Sequence, residues 1–228
     1  MASPPHIGTL REKPLHASLK EWCAEPGDRV EVKVDRYVID LVRDDLLIEI
    51  QTRGFSSMKK KLTRLLDLGY RVRIVHPIPA CKTIVRLGED GEILGRRRSP
   101  KRGSALDIFG ELVGIPTLAT NPNLEIVLVL TSEDEYRKHE ENRAWRRHGW
   151  VVQERRLVEV LEVVELADPT DFLRLLPADL PEVFTTADIA VAADCPRRVA
   201  QQAAYCLRHM GAAEIVGKEG NAHEYRLL

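Results

Sequence analysis

The chain has 228 residues, of which 44% are hydrophobic and 30% are charged, and its formal net charge is −1. This composition excludes a disordered chain, and the length suffices for one large domain or two ordinary ones. No apolar run approaches membrane-spanning length, and the amino terminus lacks the apolar core of an export signal. The four cysteines form no Cys-x-x-Cys pair, which is typical of buried free thiols in a reducing compartment. We therefore expect a cytoplasmic protein with no membrane partner.

In chain order, the amino-terminal half predicts a helix over 14–24, a half-buried strand over 29–34 and two strands within 37–51. An amphipathic helix near 58–68 and strands over 71–78 and 82–87 follow. Residues 124–130 form a continuous apolar run, which is typical of a buried strand. Residues 132–154 have a charged, irregular pattern, and 157–166 fit either a strand or a helix. The alternation of element types predicts an α/β fold.

Acidic residues interrupt the apolar pattern of the 37–51 segment. Asp40 lies on the first of its two strands and Glu49 on the second, across a short turn. If the strand faces match, the two carboxylates converge. Desolvated carboxylates repel each other and recruit a proton or a cation, so this segment predicts a divalent-metal site. The alternative is a pair of solvent-facing acids on a half-exposed hairpin.

Positive charge is concentrated just after this hairpin. Residues 51–103 contain fourteen Lys and Arg against four Asp and Glu, a local excess of ten positive charges. Two interpretations of the densest run stay open, a solvated loop or a grip on a phosphate backbone. The run consists of Arg96, Arg97, Arg98, Lys101 and Arg102.

The carboxy-terminal segment has a pattern of its own. Prolines in 177–183 predict a linker, which divides the chain into domains over 1–176 and 184–228. Two helices followed by two short strands around a Gly-rich turn resemble a winged helix-turn-helix, which implies DNA binding. The five basic and five acidic residues from Phe184 onward leave a protein partner or a homodimer mate as the alternative. The candidate DNA-contacting residues are Arg197, Arg198, Gln201, Gln202, Arg208 and Lys218, with Tyr205 also facing outward.

Residues 14–78 resemble the core of the PD-(D/E)XK phosphodiesterase superfamily, to which the restriction endonucleases belong. The shared feature is the order helix, three strands, helix, strand, with Asp40 and Glu49 in the places of the family's acids. The resemblance implies a restriction-endonuclease-like mixed sheet flanked by helices. It also implies that Asp40, Glu49 and the carbonyl of Ile50 bind Mg²⁺ or Mn²⁺, and that Glu21 is the helix-borne glutamate of some members.

Gln51 departs from the family pattern, because a lysine usually stands at this position. A neutral amide can orient the attacking water but cannot neutralise charge near it. The lysines of the next helix are candidates for the missing cation: Lys59, Lys60 and Lys61.

These residues predict a metal-dependent nuclease that hydrolyses DNA phosphodiester bonds and is positioned by a carboxy-terminal winged helix. Because of Gln51, the alternative is a catalytically inactive nuclease-fold protein that regulates by binding DNA. A third interpretation, a ligand-sensing protein without nucleic acid, predicts no retention on DNA even at low salt.

Overall fold

The structure is a computed structural model that describes residues 13–141 and 143–228. Its helices and strands in the first half of the chain are α1 (Pro14–Cys23), β1 (Arg29–Val34), β2 (Tyr37–Arg43), β3 (Leu46–Ile50), α2 (Phe55–Asp67), β4 (Arg71–Leu87) and β5 (Ile93–Arg98). The second half contributes α3 (Ile108–Leu112), β6 (Leu124–His139), β7 (Trp150–Leu166), α4 (Pro169–Leu173), α5 (Thr186–Ala192), α6 (Arg197–His209), β8 (Ala213–Glu219) and β9 (Ala222–Leu227).

Seven strands form one mixed sheet in the order β1-β2-β3-β4-β6-β7, with β5 paired to the second half of β4. The first three strands are antiparallel neighbours, whereas β3, β4 and β6 run parallel and β7 returns antiparallel to β6. The predicted α/β class, with a mixed sheet flanked by helices, is confirmed. The predicted order of helix, three strands, helix and strand over residues 14–78 is also observed.

Both faces of this sheet are covered at its centre, which explains why β3 reads as an almost continuous apolar run. All five residues of β3 are buried. On one face, Leu15 and Leu19 of α1 pack with Leu41, Ile48 and other strand residues. On the opposite face, the apolar sides of α2 and α3 pack against the alternate strand positions in a larger core. The acids of the second and third strands therefore lie between two packed layers.

Three strands are much longer than the sequence predicts. The strands predicted over 71–78 and 82–87 are one strand, β4, with an irregularity at Pro79 and Cys81. The segment predicted to be irregular, 132–154, instead continues β6 to His139 and begins β7 at Trp150. The basic run is also not a loop at its start, because Arg96–Arg98 belong to β5. We call the resulting extension the arm: residues 82–87, 93–98, 133–139 and 150–157.

Cross-strand pairing explains how so charged a segment stays extended. Arg96 forms an ion pair with Asp134 at 3.4 Å, and the guanidinium carbon of Arg156 lies 4.5 Å from the centre of the Tyr136 ring. The ion pair spans β4, which lies between β5 and β6, whereas the cation–π contact joins the neighbouring strands β6 and β7. Opposite charges and cation–π contacts on one face stabilise an exposed sheet. These partners are separated in sequence, so the charge pattern of one segment does not reveal them.

The carboxy-terminal segment has the predicted order of two helices and a two-stranded hairpin. Thr185 and Asp188 form a reciprocal cap at the start of α5, and Phe184 bridges to Tyr225 of β9. The buried residues of α6 belong to the same apolar core as α2 and α3, and α6 packs directly on α3. The division into two domains at 177–183 stays a prediction.

The four cysteines are free thiols, but only Cys206 is buried and the other three are half-buried. None of the helices in the described part of the chain is both long and apolar enough to cross a membrane.

Candidate functional site

Asp40 and Glu49 lie where β2 and β3 separate. The paired residues end at Leu41 and Ile48, so the two acids are the next residues beyond the ladder. The main-chain N–H of Ile50 donates a hydrogen bond of 2.8 Å to Oδ2 of Asp40, which takes the place of a strand partner. Glu31 of the neighbouring strand β1 stands opposite Asp40 and has a positive φ of 52°. The local departure from regular pairing holds both carboxylates at the end of the sheet ladder. We call Asp40 and Glu49 the acid pair.

Asp40 is held in its ionised form by α1. Nε2 of His16 lies 3.3 Å from Oδ2 of Asp40. Burial alone would raise the pKa of Asp40, but the hydrogen bonds from His16 and from the N–H of Ile50, with the charges of His16 and Lys20, lower it below the ordinary value. This carboxylate therefore stays negative under ordinary conditions.

Glu49 has the opposite tendency. Its side chain is buried, and burial raises its pKa from 4.5 to about 7. The ion pair with Lys61 of α2, with Nζ 2.5 Å from Oε1, opposes this shift, whereas the negative charge of Asp40 adds to it. Lys61 also donates to the carbonyl of Val38 at 2.8 Å. The two acids are thus close enough to interact electrostatically, and one of them is poised to take a proton or a cation.

Lys61 is the one of the three candidate lysines that the structure brings to the acid pair. Lys59 and Lys60 are exposed, as expected on the outer face of an amphipathic helix. Lys61 is half-buried and contacts Glu49 directly. Its position, three residues after Met58 and one before Leu62, places it at the border of the buried stripe of α2.

Gln51 and Glu21 are not directed at the acid pair. The amide nitrogen of Gln51 donates to the carbonyl of Arg53, and at 3.4 Å to that of Gly54, in the loop that follows β3. Glu21 is exposed, because α1 is oriented by its buried Leu15 and Leu19. The helix instead presents His16 to Asp40.

Two histidines at this site were missed by the sequence prediction. His16 follows the buried Leu15, and only the packing of α1 on the sheet reveals that it reaches Asp40. His76 of β4 is buried, and its Nδ1 lies 2.6 Å from the carbonyl oxygen of Gln51. Since a carbonyl only accepts, Nδ1 of His76 must carry the proton. Burial lowers the pKa of His76, which favours this neutral form.

The donor set suits a hard divalent cation with few protein ligands. In residues 13–141 and 143–228, no group of three or more His, Cys, Asp or Glu side chains is arranged to hold a metal ion. Two carboxylates remain, with the Ile50 carbonyl beside them in sequence. Mg²⁺ keeps several waters and is commonly bound through one or two carboxylates plus substrate phosphates. The residues present therefore fit such an ion.

The arginines of β5 are exposed and project alternately from the arm. Arg96 and Arg98 lie on one face, where Arg96 pairs with Asp134. Arg97 lies opposite Ile84 and projects to the other face. Lys101 and Arg102, in the loop after β5, are also exposed. The basic run therefore supplies positive charge to both faces of the arm.

On α6, one side faces solvent and the other packs on the core. Its exposed side carries Arg197, Arg198, Gln201, Tyr205 and Arg208, and Lys218 is exposed on β8. Gln202 differs from the prediction that it faces fully outward. It is half-buried and packs against α3, where a Cβ added to Gly110 would lie 3.4 Å from its Oε1.

The fold and the acid pair define a mixed α/β protein with two interacting carboxylates at the end of a strand ladder. The family described as a domain of unknown function (DUF8091) matches residues 13–167, and the chain belongs to it. An uncharacterized protein of Treponema pallidum (strain Nichols) is 29% identical over 224 residues, which cover 96% of this chain and 87% of that protein. No solved structure matches the chain.

Proposed function

We propose that the chain is a metal-dependent nuclease of restriction-endonuclease-like fold that hydrolyses DNA phosphodiester bonds. The observation that carries this proposal is that Glu49, at the point where β2 and β3 separate, forms an ion pair with Lys61 and is influenced by the charge of Asp40. A carboxylate pair beside a lysine can bind a cation and stabilise the negative charge of a phosphate undergoing attack. The order of elements over residues 14–78 supports the same proposal.

In this proposal Asp40, Glu49 and the carbonyl of Ile50 hold Mg²⁺ or Mn²⁺. When bound, the ion supplies Lewis-acid polarisation of the phosphate and lowers the pKa of a water. Lys61, on α2, supplies the positive charge that Gln51 cannot, since the Gln51 amide is neutral and bonds to the following loop. The N–H of Ile50 and His16 keep Asp40 oriented and ionised.

DNA is proposed to be held by positive charge on two surfaces. The first is the basic run, Arg96, Arg97, Arg98, Lys101 and Arg102, whose members are all exposed. The second is the exposed side of α6 with Lys218 on the hairpin, which we propose to be a winged helix. Phosphate contacts of this kind position a nucleic acid without reading its sequence.

A second candidate, a non-catalytic DNA-binding regulator, is favoured by one specific observation. Each acid already contacts a basic side chain, His16 for Asp40 and Lys61 for Glu49. Carboxylates that are neutralised by protein cations can stabilise a fold without binding metal.

The two candidates are separated by a cleavage assay on plasmid, single-stranded and branched DNA in Mg²⁺ and Mn²⁺. We expect Asp40→Asn and Glu49→Gln each to lower the rate about a thousandfold, as removal of a catalytic metal ligand does. The matched control is Asp45→Asn, an exposed carboxylate in the turn between the same two strands. Cleavage that survives both substitutions would contradict the nuclease proposal. DNA binding with no cleavage of any substrate would support the regulator.

A further inference from the structure

A cleft of about 520 Å³ opens between the start of α1, the loop that follows β3 and the arm. One wall is the start of α1, and another is the loop that follows β3. The remainder is the arm, from Lys82 of β4 to residues 151–155 of β7. The lining residues that bear on a ligand are the cations Lys13, Arg53, Lys82 and Arg155 and the apolar Val151 and Val152.

The cleft is connected to the acid pair through the chain at two points. Leu15 directly precedes His16, which contacts Asp40. Thr52 and Arg53 directly follow Gln51, and the Gln51 amide bonds to the carbonyl of Arg53. The cleft and the acid pair are therefore built on the same two segments of the chain, the start of α1 and the end of β3 with its following loop.

The acids of the cleft are already neutralised. Lys82 donates to Glu135 at 3.0 Å, and Arg137 contacts the same carboxylate. Burial opposes ionisation of Glu135, but the hydrogen bonds from these two cations lower its pKa below the ordinary value. Glu154 is paired with Arg156 at 2.6 Å. Neither acid therefore repels an anion with an uncompensated charge.

The remaining cations are available to an anion. Lys13 and Arg53 are exposed, and neither has a carboxylate partner in the described part of the chain. Arg155 makes only long contacts, 3.5 Å from Nη2 to the carbonyl of Thr52 and 3.4 Å from Nη1 to Oε2 of Glu133. Good N–H···O bonds are shorter, and a guanidinium has five N–H donors, so Arg155 retains donors for a ligand.

Glu133 fixes the position of Arg155. Its side chain is 0% exposed, and among the described residues its Oε2 is the buried side-chain atom without a hydrogen-bond partner. Oε1 accepts a bond of 2.8 Å from the hydroxyl of Thr131. A buried carboxylate beneath an arginine holds the guanidinium at the floor of the cleft, which is the arrangement that preorganises an anion site.

The shape of the cleft indicates a ligand larger than a phosphate. Its volume falls within the usual range for organic ligands, about 300 to 1,000 Å³. Val151, Val152 and Leu15 give it an apolar wall beside the cations. An apolar surface next to guanidinium groups accommodates a base together with its phosphate. A base that is stacked and paired in a duplex cannot enter such a cleft.

We infer that this cleft binds an unpaired nucleotide of the DNA strand, with phosphate on Arg53 and Arg155 and base against Val151 and Val152. The inference deepens the proposed function and rests on it for the choice of DNA as ligand. It assigns the substrate class as DNA with a single-stranded segment adjoining the scissile phosphate.

The test is binding of a fluorescent, 5′-phosphorylated thymidine trinucleotide to the full chain in EDTA, measured by anisotropy, with a blunt duplex as competitor. We expect Arg53→Gln to weaken binding about tenfold, the effect of losing one charge-assisted contact. Arg29→Gln is the matched control, because Arg29 is exposed on the far edge strand β1. Competition by the duplex should be weak.

Arg155→Gln should weaken binding at least as much, and circular dichroism shows whether the variant folds. Val152→Asp, on the half-buried wall, provides an independent variant and should abolish binding. Unchanged trinucleotide affinity in Arg53→Gln and Val152→Asp, or equal loss in Arg29→Gln, would overturn the inference. Because the binding assay contains no metal, its outcome does not depend on whether the protein cleaves DNA. Trinucleotide binding without cleavage of any DNA would refute the nuclease and retain the cleft.

Discussion

Glu49 of the acid pair and Glu135 of the arm are two buried glutamates in strands of one sheet, 7% and 5% exposed. Burial acts on both in the same direction, yet the pKa of Glu49 rises to about 7 and that of Glu135 falls below its ordinary value. Glu135 receives hydrogen bonds from Lys82 and Arg137, whereas Glu49 has Lys61 as a partner and Asp40 as a negative neighbour. Burial therefore outweighs the single cation at Glu49, with the charge of Asp40 adding to the rise, whereas two cationic donors outweigh burial at Glu135.

This difference separates a structural region from a reactive one. In the arm, each buried carboxylate is held by cations from neighbouring strands, as Glu133 is by Arg155. At the acid pair, burial outweighs the ion pair of Glu49 with Lys61, and the charge of Asp40 adds to the effect of burial, so Glu49 is able to exchange a proton for a cation.

The largest expected effect concerns the removal of the cation from each region. Arg155→Met leaves Glu133 buried without a counter-charge and should lower the free energy of unfolding by about 4 kcal/mol. Lys61→Met should destabilise the protein by only about 1 kcal/mol at pH 6, because Glu49 can take a proton there. Urea denaturation in EDTA measures both. Equal losses in the two variants would contradict the distinction.

The pH dependence of stability should have opposite sign for the two glutamates. The folded-state pKa of Glu49 is raised, so its contribution is fully present below about 4.5 and is lost as the pH rises through about 7, by about 3 kcal/mol in total. The pKa of Glu135 is lowered, so its contribution is present above its ordinary pKa and is lost as the pH falls below it.

Urea titrations of metal-free protein between pH 4 and pH 8 would show these slopes. Glu49→Gln should remove the decrease in the free energy of unfolding between about pH 5 and pH 7. It should leave the decrease at acidic pH, to which Glu135 contributes, unchanged. A Glu49→Gln profile that parallels the wild type would show that the acid pair has no raised pKa.

Mg²⁺ or Mn²⁺ should stabilise the folded protein by binding at the acid pair and not at the arm. With the ion at about ten times its dissociation constant, linkage gives about 1.4 kcal/mol, or a rise in Tm of about 3 °C for a chain of this size. The rise should be absent in Asp40→Asn and present in Arg96→Gln, whose side chain lies on the arm. Scanning calorimetry in Ca²⁺-free buffer measures this rise in Tm. A rise that persists in Asp40→Asn would place the ion elsewhere.

The smallest expected effect is at the exposed arginines of the arm. Arg98→Gln should weaken DNA binding about threefold and lower the slope of log affinity against log salt by about 0.9, the value for one phosphate contact. Arg29→Gln should change neither. A salt slope that Arg98→Gln leaves unchanged would show that this face of the arm does not contact the backbone.

Much of the first half of the fold could be predicted from the sequence, because local patterns decide it. Alternation of apolar and charged residues marks β1, and the apolar stripe of Met58, Leu62, Leu65 and Leu66 marks α2. The long strands of the arm could not be predicted in this way. Their charged residues are compensated by partners such as Asp134 for Arg96, nearly forty positions apart, and a single segment does not show which partner it will have.

The candidate site divides along the same line. The sequence by itself determined that Asp40 and Glu49 interrupt apolar strands, that a basic segment follows them, and that Gln51 stands at the position of a family lysine, because residue type and strand period are local properties. Only the tertiary structure decided that His16 and not Glu21 meets Asp40, that Lys61 and not its neighbours meets Glu49, and that Arg155 lies over Glu133 beside Thr52. These contacts join separate elements, and their geometry depends on how helices and strands pack, which no local pattern specifies.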